Sequence, residues 1–141
     1  MSYNKRKLKR FKILAKLKIS NELLELALKK FKDKFKSKPR SWLQRCIERL
    51  IDVQKTPKPN TWIVRGRPSL GDSEAFYIIT FIPKRNRYMC TCYNPNKLFG
   101  NRRMKQICTH VGSVILWRLI KERDLHDFMD KQNNRKKNKI Q

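Results

Sequence analysis

Two short ligand pairs constrain this chain more than anything else in it. Cys90-Thr91-Cys92 and Cys108-Thr109-His110 stand fifteen residues apart. The first pair falls in a segment with strand character, where a period of two sends both sulfurs to one face. Residues two apart on a helix diverge by roughly 200°. Cys108 therefore belongs in the loop before a helix, and His110 in that helix's first turn. Three thiols and an imidazole so placed suit one tetrahedral zinc ion, because soft thiolates select against magnesium and calcium. A disulfide within Cys-x-Cys is strained, and mixed Cys/His clusters in an intracellular chain favour metal. Four protein ligands leave no vacant position for water, so the site is expected to be structural and the chain not an enzyme. Binding should contribute on the order of 10 kcal/mol to folding.

That contribution matters because the chain repels itself. It has 141 residues, with 36 Lys and Arg against 11 Asp and Glu, a formal net charge of +25. Such a surface lowers the stability of the free fold and makes sense beside a dense polyanion. A hydrophobic fraction of 39% supports only a modest core. The longest apolar run, residues 75–82, is too short to span a bilayer. Lysines interrupt the apolar residues of the basic N-terminus, so no signal sequence is expected there. A soluble, cytoplasmic protein without a membrane or small-molecule partner is the expectation.

The reading of the chain is α+β: N-terminal helices, then a small antiparallel sheet and a C-terminal helix around the zinc. Residues 1–55 form a basic helical region and 56–60 a Pro-containing linker. Residues 61–123 form the zinc-binding module and 124–141 a basic tail. Residues 1–18 hold eight Lys and Arg and no acid; alternation and helical spacing both fit parts of this segment, with a helix or arm favoured. Ser20 or Asn21 can cap a helix over 21–36, whose stripe is Leu24, Ala27, Leu28, Phe31 and Phe35. Ser41 and Gln44 read as a capping box for a helix over 42–54, with Cys46 on its buried stripe. Strands are expected at 62–65, at 76–82 and at 87–92. The second is apolar on both faces and so central. A helix should follow over 110–123.

Cys90-x-Cys92 followed by Cys108-x-His110 resembles the SWIM zinc finger. Trp62-Ile63-Val64, Tyr77-Ile78-Ile79 and the helix from Val111 to Leu119 are similar to that family's layout, over residues 61–120. The resemblance implies a ββα-type module used for DNA, RNA or protein contacts. Residues 1–58 resemble no particular family.

Between Glu74 and Glu122 the sequence contains no acidic residue. Lys84, Arg85, Arg87, Lys97, Arg102, Arg103, Lys105, Arg118 and Lys121 lie in that window, interleaved with Tyr88, Tyr93 and Phe99. Basic side chains can grip phosphates while aromatics stack on unpaired bases. Lys5, Arg6, Lys7 and Arg10 in the N-terminal segment, and Arg135, Lys136 and Lys137 in the tail, extend the candidate surface. His126 reads as part of a solvated helix end. No Gly-rich phosphate loop or nucleophile elbow is present. Small size, charge, zinc and two basic extensions together resemble an archaeal-type ribosomal protein. The expected partner is ribosomal RNA with neighbouring ribosomal proteins. A SWIM-type DNA-binding or recombination-accessory role, or a protein–protein module, are the alternatives.

Overall fold

A computed structural model describes residues 2–93 and 107–122, with side chains from Lys9 onward. The expectations at Lys97, Phe99, Arg102, Arg103, Lys105, His126, Arg135, Lys136 and Lys137, and for the side chains of Lys5, Arg6 and Lys7, lie outside the described residues. The fold is α+β, with helices α1 (Ser2–Leu17), α2 (Asn21–Lys34), α3 (Arg40–Glu48) and α4 (Thr109–Lys121). The strands are β1 (Val53–Lys55), β2 (Thr61–Arg65), β3 (Phe76–Ile82) and β4 (Arg87–Cys90). They pair antiparallel in the order β1-β2-β3-β4.

Helical spacing prevails over alternation in the first segment, where Ile13 and Leu17, one turn apart, are both buried. The helix stops where Lys18 turns left-handed (φ 55°) and the Ile19 N–H reaches back to the Leu14 carbonyl. Ser20 then caps α2, its hydroxyl accepting from the Leu23 N–H at 3.2 Å. Leu24, Ala27, Phe31 and Phe35 are buried as the stripe requires. Phe31 and Phe35 pack with Trp42 of α3, ring centroids 5.0–5.8 Å apart.

The third helix differs from its expectation at both ends. Pro39, extended at ψ 157°, occupies the cap position and its carbonyl accepts from Trp42 and Leu43, so Ser41 lies inside the first turn and makes no capping box. The helix ends at Glu48, tightens into a 3-10 turn over Arg49–Asp52 and continues as β1. Pairing of Val53 with Val64 replaces the helical bonds the sequence pattern allowed. The proline-marked stretch 56–60 is accordingly the β1–β2 hairpin connection. The Thr56 N–H and hydroxyl both bond the Thr61 carbonyl, and Asn60 takes a positive φ.

Helix α4 is the hub. Its residues His110 to Leu116 are all buried, and it packs on α2, α3 and the inner face of the sheet. Gly112 permits the closest approach: a Cβ there would stand 2.5 Å from the Cys46 Sγ and 2.9 Å from the Trp42 ring. The inner sheet face presents Trp62, Val64, Tyr77 and Ile79, all buried. β3 is central in strand order as expected, but among the described residues helices cover only one of its faces. Phe76 and Ile78 are 56% and 39% exposed on the other.

Candidate metal centre

The sheet and α4 converge on the four ligands. β4 ends at Cys90 instead of running to 92 as expected, because the chain turns directly after it, the Tyr93 N–H bonding the Cys90 carbonyl at 2.9 Å. That turn returns the Cys92 N–H to within 3.5 Å of the Cys90 sulfur. Cys108 is the N-cap of α4, its sulfur accepting from the Val111 N–H at 3.4 Å. His110 lies in the first turn, as the spacing predicts. One donor atom from each of Cys90, Cys92, Cys108 and His110 lies within 4.8 Å of all the others. Four ligands about 2.3 Å from a tetrahedral ion stand roughly 3.8 Å apart, so the group can close on one metal ion with small shifts.

The histidine supplies an independent test of fit. Its Nε2 is 2.9 Å from Asp72 Oδ1, while its Nδ1 is buried without any hydrogen-bond partner. An ionised carboxylate only accepts, so in the neutral ring that metal ligation requires, Nε2 carries the proton and Nδ1 keeps its lone pair. An orphaned buried acceptor is costly in protein alone. It is what a metal ligand backed by a carboxylate looks like.

Asp72 is itself built in. The Arg49 guanidinium donates to both of its oxygens at 2.6 and 3.0 Å, and the Arg67 N–H donates at 2.8 Å. The Arg49 and Asp72 side chains are 2% and 4% exposed. Arg49 Nε also donates to Thr109 Oγ1 at 3.0 Å, on the residue between two of the ligands. Burial raises the Asp72 pKa, but the bonds from Arg49 and the Arg67 N–H, with nearby His110, outweigh it and hold the carboxyl below its ordinary range. Gly71, at φ 87°, makes the turn that brings Asp72 inward. Tyr77 stacks on the imidazole with centroids 3.9 Å apart, and its hydroxyl is fixed by the N–H groups of Ser73 and Glu74.

The thiols divide. Hydrogen bonding to Cys108 and Cys92, followed by burial, pushes the Cys90 thiol up. Burial also raises Cys108, but hydrogen bonds from Cys90 and Cys92 and the adjacent His110 overcome it, leaving that thiol well below its ordinary value. The N-terminus of α4 favours negative charge at the same sulfur. The Tyr93 hydroxyl accepts from the Cys108 N–H at 3.2 Å, and Trp42 Nε1 donates to the Ile107 carbonyl at 3.0 Å. Both bonds brace the approach to α4.

Arg49, Asp72, Tyr77 and Tyr93 escaped the sequence reading as members of this site. Tyr77 was legible only as part of a strand and Tyr93 only among the interleaved aromatics. Cys46 is a core residue, fully buried, as expected.

The basic candidates among the described residues are dispersed. Lys84, Arg85 and Arg87 are exposed on the β3–β4 turn and the start of β4. Arg10 is on α1 and pairs with Glu25. Arg118 lies 5.0 Å over the Trp62 ring and bonds Tyr88 and Glu122, while Lys121 bonds the Leu17 carbonyl. Tyr88 packs on Phe81, and Tyr93 is buried. These four side chains hold the fold together. A groove of about 430 Å³ opens away from the cluster, between α1, α2, α3 and the Pro68–Leu70 turn, and its rim mixes Lys9, Arg10 and Lys32 with Glu25 and Glu48. No helix among the described residues is long and apolar enough to cross a membrane.

Comparison with known protein families, with curated proteins and with solved structures returned no match.

Proposed function

We propose that this chain is a structural zinc protein that binds nucleic acid, with ribosomal RNA in a ribosomal or ribosome-associated particle as its partner. The observation that carries the proposal is a closed ligand cluster within a chain of net charge +25. Cys90, Cys92, Cys108 and the His110 Nδ1 would complete a tetrahedral shell, the composition that thiolate-rich zinc sites use. A filled shell supports a scaffolding role and no catalysis. The order of the ligands, at a strand end and a helix start, supports the SWIM-type reading of the module. Thiolate ligands must stay reduced, which a cytoplasmic location would favour.

The charge supports the polyanion. Neutralising several phosphates releases counterions, so affinity should fall linearly with the logarithm of salt. Cosedimentation with ribosomal subunits at moderate salt tests the partner directly. The expected result is a subunit-bound fraction lost after ribonuclease treatment. Equal binding to DNA and RNA without subunit association would favour the DNA-binding alternative. Salt-independent binding to a protein would overturn both.

A further inference from the structure

Among the described residues, one face of the sheet carries exposed apolar side chains. Alternation along the strands places Ile63, Arg65, Phe76, Ile78, Thr80, Ile82, Arg87 and Met89 on the sheet face opposite the helices. Arg65 stands directly across from Phe76, Ile63 across from Ile78, and Arg87 across from Ile82. An apolar stripe therefore crosses the sheet with an arginine opposite each end of β3. Phe76 is 56% exposed, more than any other large apolar side chain on the strands. None of these outward positions is acidic; Glu74 lies outside the strand.

We propose that this open sheet face is a stacking platform for single-stranded nucleic acid, an inference that rests on the nucleic-acid reading above. Phosphates alone explain the arginines but not an exposed phenyl ring between aliphatic neighbours. A duplex hides the faces of its bases, whereas unpaired bases offer a π-surface of any sequence to an aromatic ring. Cations at both ends of the stripe would hold the backbone while bases lie along the middle.

The test uses full-length, zinc-loaded protein and fluorescence anisotropy with a labelled oligouridine and a blunt RNA duplex. Phe76→Ala should weaken oligouridine binding by about 5- to 150-fold. It should leave the salt slope unchanged and duplex affinity within about twofold. Phe76→Tyr should restore the loss. Arg65→Gln should lower the slope of log affinity against log salt by about one. Circular dichroism confirms that each variant folds. Wild-type binding unaffected by Phe76→Ala, or weakened equally on both probes, overturns the platform and leaves the nucleic-acid reading standing. Failure of the wild type to bind either probe at low salt overturns both.

Discussion

Alternate residues of β3 meet opposite fates. Tyr77 and Ile79 point inward, 3% and 0% exposed, against α4 and the ligand cluster; Phe76 and Ile78 point outward and stay open. The residue types barely differ between the two sides. What differs is that α4 lies across one face, where Cys108 and His110 meet the end of β4. The apolar pattern of a strand thus says that a face can be buried, while a long-range constraint decides which face is. On this account the inner face owes its order to the metal corner, while Phe76 and Ile78 on the outer face stay exposed.

The comparison can be broken most severely at the ligands. His110→Ala or Cys92→Ser should abolish zinc binding and remove on the order of 10 kcal/mol of folding free energy. Near-ultraviolet circular dichroism before and after chelation reads that loss. Next, Arg49→Ala strands Asp72 as a buried charge and should cost about 3–5 kcal/mol in urea unfolding. Arg49→Lys should recover little, because an ammonium cannot reproduce the bidentate bond or the reach to Thr109. Ile79→Ala, which opens a cavity beneath α4, should cost about 2–5 kcal/mol. Gly112→Ala forces α4 off Cys46 and Trp42 and should cost about 1–3 kcal/mol. Ile78→Ala, one residue from Ile79, should change stability by less than about 0.5 kcal/mol. Equal losses at 78 and 79 would contradict the assignment of faces.

The same contrast separates what was legible in the sequence from what was not. Ser20 as the cap of α2, the limits of β3 and the start of α4 follow from local caps and periodicity, and they stand where the pattern put them. The ligand set was legible from its two short spacings, although a turn after Cys90, not the strand period, carries Cys92 to the cluster. The end of α3 was not. Its last turn is unwound by the pairing of Val53 with Val64, and Arg49 bonds Asp72 and Thr109, 23 and 60 residues away in sequence. No local pattern announces such partners. The prolines at 57 and 59 looked like a linker because proline ends helices, yet a hairpin connection uses the same fixed φ.

The central claim is that one metal ion joins β4 to α4 and holds the inner face closed. Zinc content per chain, measured by mass spectrometry alongside thermal unfolding with and without a chelator, tests it most directly. One zinc per folded chain, with the unfolding transition lost on chelation, is the predicted result. A metal-free chain with four reduced thiols that unfolds at the same temperature would contradict it.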